Sequence, residues 1–382
     1  MTPAPVLHLT PFLQGGAGRT VTDLALAARD AGGRVIVVTS RTAAPGYEHY
    51  PAYLRALERA GVETVLVDSL FARAPALNRA AEDAAVAALA GEAPRVIHAH
   101  AAVPAAIGLR VGARLGMPRP PVVQTMHGWN AAKRPDHARQ DLASMRDVDV
   151  VVFPSAASAA DLARLGGRFR ATRVVPAGIP AVAARPVVPA MLAPLAARRD
   201  MSARVLLTIG SLTSQKNQQV LIEALPAIAR AREVVALLVG EGPETAALGA
   251  RAVALGVGDR VWFTGYLPDA TAVLPLADLL VQPSRTESFG MAVIEAFRAR
   301  VPVAASAIPA LAELVRPGET GWRFDADEPA DLARAALEAL GADAPARNAI
   351  LDRAEAEFRE RFTVDRMLAG YARLYDELAA AA

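Results

Sequence analysis

The sequence predicts an α/β protein in which two Rossmann-like domains, each a doubly wound parallel sheet, face a common cleft. Short β-branched runs alternate with segments of helical periodicity in two successive blocks of the chain. Several runs are continuously apolar, as expected of strands that helices cover on both faces. A stretch with five prolines, at residues 176–203, separates the blocks. Ligands of such sheets bind beside the carboxyl ends of the strands, which places the expected site in the cleft.

The first block contains seven predicted strands, separated by helical segments such as Thr20–Ala31 and Asn78–Ala90. Because helices separate the strands, we expect right-handed crossovers and a parallel sheet. The predicted strands are Val6–Thr10, Arg34–Ser40, Glu63–Asp68, Arg95–His100, Val122–His127, Val148–Ser155 and Arg173–Ala177.

The second block follows a predicted linker, since proline removes ladder donors and resists helix interiors. Helices are predicted at Asn217–Arg232 and Met291–Arg300, and from Ala330 onward the chain is predicted to be helical only. The strands are Arg204–Gly210, Val234–Gly240, Arg260–Gly265, Asp278–Ser284, Val301–Ser306 and Gly321–Phe324. We therefore expect an N-terminal domain (1–178), a linker (179–203), a C-terminal domain (204–360) and a terminal helix (361–382) considered as packing back on the N-terminal domain.

Composition restricts the class of protein. Of the 382 residues, 53% are hydrophobic, which excludes a disordered chain, and the absence of Cys excludes disulfides, thiolate zinc sites and thiol catalysis. A net charge of +2 is too small to indicate nucleic-acid binding. Met1–Leu13 lacks the features of a signal peptide, and no apolar run approaches the roughly 20 residues of a spanning helix. We expect a cytoplasmic protein, with peripheral contact at the inner face of the membrane left open.

A glycine-rich segment follows the first predicted strand. Gly15, Gly16 and Gly18 precede a helix expected near Thr20, and the backbone N–H groups at a helix start favour an anion. These glycines do not complete the dinucleotide-binding fingerprint. An anion site and a flexible turn are both consistent with the segment.

The loop Gly210–Asn217 connects a strand to a helix in the second block and contains Lys216. Only Lys133 and Lys216 are lysines in a chain whose other basic residues are arginines. A lysine ammonium is a compact point charge that can neutralise phosphate. We interpret Lys216 as a phosphate ligand, the alternative being a solvated residue at a helix start.

The segment Pro283–Ala296 places two glutamates eight positions apart, one in a loop and one in the following helix. Glu287 can hydrogen-bond sugar hydroxyls, and the backbone N–H groups around Phe289–Met291 can meet phosphate oxygens. Glu295 can accept both hydroxyls of a ribose. The alternative is a helix-capping acid followed by a surface glutamate.

These motifs resemble the retaining glycosyltransferases of family 4, which have the GT-B fold. The Glu-x7-Glu stretch in its Pro-Ser…Phe-Gly setting is the specific part of the resemblance. The likeness covers nearly the whole chain, and its other matches are Gly15-Gly16, His127-Gly128, Gly210–Asn217, Pro302–Ser306 and Gly318–Trp322.

The resemblance implies a nucleotide diphosphate sugar as donor, a hydroxyl acceptor, and no metal or other cofactor. It implies front-face attack with retained configuration, in glycan, glycolipid or envelope polysaccharide synthesis. The catalytic residues it implies are His127, Lys216 and Glu287. The donor-binding residues it implies are Gly15, Gly16, Ser211, Lys216, Tyr266, Leu267, Glu287, Ser288, Phe289, Gly290, Met291 and Glu295.

Two positions depart from the family pattern. Ser211 stands where members often carry Arg, and Pro309-Ala310 stands where a Gly-Gly pair commonly precedes the acid corresponding to Glu313. Two other functions are kept open. One is a nucleotide-sugar epimerase, because the fold alone cannot exclude it, and the other is a non-catalytic nucleotide-sugar binding protein, which only these two departures support.

Two further features of the first block receive less specific interpretations. His98 and His100 face the same side of a strand, a spacing that suits a metal, but no carboxylate cluster accompanies them and we expect no metal site. Trp129 and the run Lys133–His137 can form an acceptor lip, and we favour a solvated loop.

Overall fold

The computed structural model describes residues 4–41, 49–116, 118–129, 133–182, 189–193, 195 and 203–381. The chain divides into two compact units: unit 1 consists of Met1–Gly178 and Val364–Ala382, and unit 2 of Ile179–Thr363. Of the predicted linker, residues 183–188, 194 and 196–202 lie outside the described residues. No helix among the described residues has the length and apolar character needed to cross a membrane.

Unit 1 is built on a parallel sheet that has seven strands within the described residues. They are β1 (Val6–Thr10), β2 (Val35–Ser40), β3 (Glu63–Val67), β4 (Val96–Ala99), β5 (Val122–Thr125), β6 (Val150–Phe153) and β7 (Thr172–Val174). In the strand order β3-β2-β1-β4-β5-β6-β7, the chain adds strands on one side of β1 as far as β3 and then, from β4 onward, on the other side. This reversal is a topological switch point, where open α/β sheets bind ligands.

Helices connect these strands. They are α1 (Gly15–Asp30), α2 (Pro51–Arg59), α3 (Pro75–Leu89), α4 (Ala102–Arg114), α5 (Pro135–Asp147) and α6 (Ala156–Arg164). Every residue of β1, β2, β4, β5 and β6 is buried, because helices cover both faces of the sheet.

Unit 2 repeats this architecture with a parallel sheet of six strands among the described residues. They are β8 (Arg204–Ile209), β9 (Val234–Val239), β10 (Val261–Phe263), β11 (Leu279–Gln282), β12 (Val303–Ser306) and β13 (Trp322–Phe324). Its order β10-β9-β8-β11-β12-β13 has its switch point between β8 and β11.

The helices of unit 2 are α7 (Gln218–Ala231), α8 (Thr245–Ala254), α9 (Met291–Arg298), α10 (Pro309–Ala312), α11 (Pro329–Gly341) and α12 (Ala344–Arg361). Short 3-10 helices occur at Ala190–Leu192, Gly258–Arg260 and Ala270–Leu276. The two-sheet α/β architecture expected from the sequence is confirmed.

The last helix of the chain, α13 (Val364–Ala381), belongs to unit 1. Its buried residues Met367, Tyr371, Leu374 and Tyr375 pack in one cluster with apolar side chains of the sheet and of α1. The partners in this cluster are Val6, Leu24, Val96, Val123, Val150 and Val152.

The predicted start of the first helix is wrong. Helix α1 begins at Gly15, whereas the sequence interpretation placed the helix near Thr20 and the glycines in a loop before it. A Cβ at Gly18 would lie 2.4 Å from the backbone carbon of Leu13, so only glycine lets the first turn pack this closely. The glycines therefore form the first turn of the helix, where poor helix propensity concealed them.

Candidate functional site

The loops that follow β8 and β11 form the candidate site of unit 2. The two strands pair in parallel, with Leu206 opposite Leu279, so their carboxyl ends lie at the same edge of the sheet. Gly210–Asn217 follows β8 and Pro283–Gly290 follows β11. The sequence motifs containing Lys216 and Glu287 therefore meet at the switch point.

The carboxylate of Glu287 is held by three donors on one oxygen. The ammonium of Lys216 forms an ion pair with Oε1 of Glu287. Nε2 of Gln282 and Oγ of Ser284 donate to the same oxygen over 2.9 and 3.0 Å. Within the described residues Oε2 makes no hydrogen bond, which leaves an acceptor for a ligand hydroxyl. The side chain of Glu287 is only 12% exposed, so its orientation is fixed by these contacts.

Lys216 keeps donor capacity beyond this ion pair. An ammonium has three N–H donors, and its side chain is 27% exposed. Its backbone N–H donates to the carbonyl of Thr213 over 3.0 Å, which closes a turn just before α7. The geometry leaves Lys216 able to contact Glu287 and an anion together.

Asn217 ties the two loops to each other. It takes the left-handed backbone conformation with φ 55° and is buried. Its Nδ2 donates to the carbonyl of Pro283 over 3.2 Å and to that of Ala326 over 2.7 Å. The N–H of Arg285 donates to the carbonyl of Gln215 over 2.8 Å. These bonds fix the distance between the motif residues Lys216 and Glu287.

The residues after Glu287 lead into α9 and supply backbone donors. The first helical bonds run from the N–H groups of Val293 and Ile294 to the carbonyl of Gly290, so the N–H groups of Met291 and Ala292 precede them. Free N–H groups at a helix start attract anions. The prediction that this helix begins just after Gly290 is confirmed.

The other predicted donor-binding residues of unit 2 lie around this edge. Phe289 is buried, and its ring centroid lies 5.5 Å from that of Phe362, so its side chain is part of the core. Ser211 is exposed, and its carbonyl accepts a hydrogen bond from Gln218. Three more residues are half-buried, namely Ser288, Met291 and Glu295.

Tyr266 and Leu267 follow β10, which is separated from β8 by β9. The N–H of Gly240 donates to the carbonyl of Gly265 over 3.0 Å, which joins the loops after β9 and β10. Tyr266 is 43% exposed. The structure thus places this segment at the same edge of the sheet, two strands from β8.

The Gly242→Ala variant tests how tightly the loop after β8 is packed. A Cβ at Gly242 would lie 2.2 Å from the carbonyl oxygen and 2.7 Å from the carbonyl carbon of Leu212. Because backbone atoms must move to relieve this clash, we expect the free energy of unfolding to fall by about 2–3 kcal/mol. In the matched variant Gly249→Ala, within α8, the added Cβ meets nothing within 4 Å. This control should stabilise the protein by about 0.5–1 kcal/mol. Equal effects in denaturant unfolding would contradict the packing argument.

In unit 1, His127 lies two residues beyond β5 and is the outer member of a chain of imidazoles. Nδ1 of His8 lies 3.1 Å from Nε2 of His100, and Nδ1 of His100 lies 3.0 Å from Nε2 of His127. His8 is fully buried, His100 is 5% exposed and His127 is half-buried. The sequence analysis identified His127 but did not connect it to His8.

A second network joins this region to the last helix. Nδ1 of His98 lies 2.6 Å from the hydroxyl of Tyr375, and Nε2 of His98 lies 2.7 Å from Oγ1 of Thr125. Thr125 in turn lies 3.0 Å from the hydroxyl of Tyr371. The predicted common side of His98 and His100 is confirmed, since their ring centroids are 4.0 Å apart.

The histidine cluster makes stability depend on pH. Burial lowers the pKa of His8 from 6.5 to about 4, and it also lowers the pKa of the neighbouring His98 and His100. For His8, the unfolded chain binds more protons than the folded chain between these two values, so its contribution to stability falls as the pH drops below about 6.5 and levels off near 4. For His8 alone, we expect a loss of about 2 kcal/mol between pH 7.5 and pH 5.

The measurement is the free energy of unfolding at both pH values. His8→Gln should reduce the pH dependence, to which His98 and His100 still contribute. An unchanged slope in His8→Gln would show that its folded pKa is not depressed.

For Trp129 and the run Lys133–His137, the structure differs from the solvated loop that the sequence favoured, because α5 begins at Pro135 and Lys133 is engaged by other side chains. Lys133 forms an ion pair with Asp141, whose side chain is 2% exposed, and the Lys133 ammonium lies 4.1 Å from the ring centroid of Trp129. Arg73 pairs with the same carboxylate over 2.6 Å. A cavity of about 200 Å³ adjoins Arg73 and Asp141. Residues 130–132 lie outside the described residues.

The glycine-rich start of α1 in unit 1 also presents backbone N–H groups. Gly15 and Gly16 open α1, the element that follows β1, and the N–H of Gly18 makes the first helical bond to the carbonyl of Gln14 over 2.8 Å. The N–H groups of Gly16 and Ala17 therefore precede the helical hydrogen bonds, at the switch point of unit 1. This arrangement can receive an anion.

Comparison with known proteins places both units in described families. The Glycosyltransferase Family 4 model matches residues 14–181, and the Glycosyl transferases group 1 model matches residues 203–342. D-inositol 3-phosphate glycosyltransferase of Thermobispora bispora is 30% identical over 311 residues, which are 74% of this chain and 70% of that protein. N-acetyl-alpha-D-glucosaminyl L-malate synthase of Bacillus anthracis is 27% identical over 174 residues, 46% of this chain and 45% of that protein. The chain thus spans about half the length of this and several other curated relatives that it matches.

A crystal structure of Anabaena Alr3699/HepE in complex with UDP and glucose has a TM-score of 0.80 at 23% identity, covering 98% of this chain and 100% of that chain. At this level of identity the likeness shows the fold alone. It confirms the predicted GT-B fold class.

Proposed function

Because this chain belongs to glycosyltransferase family 4, we propose that it transfers a sugar from a nucleotide diphosphate sugar to a hydroxyl acceptor with retention of configuration. The observation that carries the proposal is the Lys216–Glu287 pair at the switch point of unit 2. It combines a cation for phosphate with an oriented carboxylate oxygen for a hydroxyl. That combination matches the two chemically distinct halves of a nucleotide diphosphate sugar.

The diphosphate is the half that must accept charge during the reaction. When the glycosidic bond to the donor breaks, negative charge grows on the departing phosphate. Lys216 and the N–H groups of Met291 and Ala292 are fixed donors that stabilise such charge without reorganisation. We propose that these groups supply the positive potential and that the protein needs no resident metal or cofactor.

The sugar is the half that Glu287 orients. Oε2 of Glu287 accepts a hydroxyl of the transferred sugar, while Oε1 stays engaged with its three donors. A carboxylate held in this way serves as a hydroxyl acceptor, whereas retaining glycosidases use a carboxylate as a nucleophile. We therefore propose attack from the face that the leaving phosphate vacates, with that phosphate accepting the acceptor proton.

The family pattern assigns residues to the other parts of the nucleotide sugar. Glu295 binds the ribose, the backbone of Tyr266 and Leu267 lines the base, and Gly16 contacts the donor phosphates. Ser211 has no charge, so Lys216 carries the phosphate contact from this loop. We propose glycan, glycolipid or envelope polysaccharide synthesis as the setting, with a hydroxyl compound as acceptor and a cytoplasmic location.

A donor panel tests the proposal. UDP-, GDP- and ADP-sugars are added at 100 times their dissociation constant, where binding to the native state alone contributes about 2.7 kcal/mol of stability. The anomeric configuration of the product is then read by NMR with a panel of hydroxyl acceptors. A stabilising donor and a product of unchanged configuration support the proposal.

Each other outcome assigns a different function. Isomerised nucleotide sugar without transfer supports the epimerase alternative. Donor binding without turnover across the acceptor panel supports a non-catalytic binding protein. Stabilisation by none of the donors in a folded sample contradicts the donor site itself.

A further inference from the structure

The hydrogen bonds in the imidazole chain of unit 1 must all run in the same direction. His100 contacts His8 through Nε2 and His127 through Nδ1, over 3.1 and 3.0 Å. A neutral imidazole carries one N–H donor and one acceptor nitrogen. His100 must therefore donate to one neighbour and accept from the other, so all three tautomers are set together.

Two arrangements satisfy both hydrogen bonds. In the outward one, His8 donates to His100, His100 donates to His127, and His127 carries its proton on Nδ1. In the inward one, His127 donates through Nε2, and His8 at the far end carries its proton on Nε2. The two arrangements present opposite chemical groups on the outer nitrogen of His127.

The buried end of the chain decides between them. Nε2 of His8 is buried and has no hydrogen-bond partner. The neighbouring His98 has both ring nitrogens engaged, by Tyr375 and Thr125. The inward arrangement would bury an N–H without an acceptor, a condition that is rarer in proteins than an under-satisfied acceptor. The outward arrangement leaves only a bare lone pair at this position.

We propose that His8 and His100 are positioning residues that hold His127 as the Nδ1–H tautomer, so that it donates a hydrogen bond to an oxygen of a ligand bound at this edge of the unit 1 sheet. Nδ1 of His127 makes no hydrogen bond with the residues that the structure describes. The identity of the ligand rests on the proposed function, whereas the tautomer of His127 does not.

The groups around the chain are consistent with neutral rings. Burial lowers the pKa of His8, His100 and His127, and His98 beside them is affected in the same way. No carboxylate within the described residues pairs with these four rings. His127 therefore acts as a neutral hydrogen-bond donor, comparable to a hydroxyl.

A metal ion is the competing occupant of the same rings. One nitrogen each of His8, His98 and His100 lies within 4.8 Å of the others, and imidazoles suit transition metals. Binding there would require His98 to leave Tyr375 or Thr125, and it would break one of the two contacts of His100, to His8 or to His127. The hydrogen-bonded chain accounts for the observed distances without such a change.

The tautomer is measured by two-bond proton–nitrogen NMR on histidine-labelled, chelator-treated protein at pH 7.5, without substrate. In the unaltered protein we expect the proton of His127 on Nδ1. His100→Asn should keep it there, because the side-chain amide can donate in the place of Nδ1. His100→Phe removes the donor, and His127 should then shift toward the Nε2–H form. The unaltered protein and His100→Asn decide the question even where His100→Phe does not fold.

Three results would overturn the proposal. They are a proton on Nε2 of His127 in the unaltered protein, the same tautomer in folded His100→Phe, and one equivalent of added Zn²⁺ shifting the resonances of His8 and His100.

A binding measurement tests the role in recognition separately. His100→Phe should weaken binding of the stabilising donor about tenfold, the effect of one net hydrogen bond, and His100→Asn should restore most of this loss. Unchanged affinity in folded His100→Phe would overturn the contact between His127 and the donor. If the unaltered protein binds no nucleotide sugar, the proposed function fails, and the NMR result still decides the tautomer.

Discussion

In the Lys216→Ala variant, we expect sugar transfer to fall by about 10²- to 10³-fold, the effect of removing one preorganised group that stabilises developing charge. Lys216 is the side-chain cation of the loop after β8, since Ser211 carries no charge. The backbone N–H groups before α9 remain, so residual transfer should still be measurable. Binding of nucleotide diphosphate alone should weaken as well, because Lys216 contacts the diphosphate in the ground state.

Lys133→Ala is the matched control for this variant, because it removes the other lysine of the chain. Lys133 is engaged by Asp141 and Trp129 in unit 1. Donor affinity, measured by calorimetry, should therefore stay close to that of the unaltered protein. The assignment of Lys216 fails if both variants lose donor affinity equally, or if a folded Lys216→Ala retains full turnover.

Folding of Lys216→Ala is expected to be preserved. Glu287 keeps its hydrogen bonds from Gln282 and Ser284, and the ion pair that is lost is partly exposed. Because these two donors still hold the carboxylate, we expect the unfolding midpoint to shift only slightly. A loss of transfer can then be attributed to the site.

The Glu287→Gln variant should lose about 10²-fold in transfer while keeping its affinity for nucleotide diphosphate. The substitution retains an oxygen that can accept from Gln282, Ser284 and Lys216. It replaces Oε2 by an N–H₂ donor, which cannot accept from a sugar hydroxyl, and a charged hydrogen bond of about 1.5–3 kcal/mol is lost. Calorimetry with nucleotide diphosphate and with nucleotide sugar separates the two halves of the ligand.

The test compares the affinities of the two variants for nucleotide diphosphate and for nucleotide sugar. Lys216→Ala should weaken both ligands, and Glu287→Gln only the nucleotide sugar. If Glu287→Gln weakens both to the same degree, the carboxylate acts by holding Lys216 in place, and its proposed contact with the sugar is wrong.

Most strands of both sheets could be predicted because buried parallel strands are continuously apolar and short. The predicted strand Asp278–Ser284 differs from β11 by one residue at its start and two at its end, since polar residues there still face a buried surface. The start of α1 could not be predicted, because glycine is a poor helix former and its close approach to Leu13 is a tertiary contact.

The sequence predicted key residues of the site but not the contacts that these residues make with one another. Lys216 and Glu287 stood out by rarity and spacing, whereas their meeting depends on the pairing of β8 with β11. Asn217, Gln282 and Ser284 were not singled out, although a glutamine that ends an apolar strand is a usable signal. His8 was missed because it lies opposite His98 only in the parallel register of β1 and β4.

The membership of α13 in unit 1 has a consequence for synthesis on the ribosome. The sheet surface that includes Val96, Val123 and Val150 is covered by residues of α13, which are translated only after the whole of Ile179–Thr363. At 5–20 residues per second that interval lasts roughly 10–40 s. During it the nascent first unit presents an apolar surface that chaperones can bind, and the second unit is in a position to finish folding before the first.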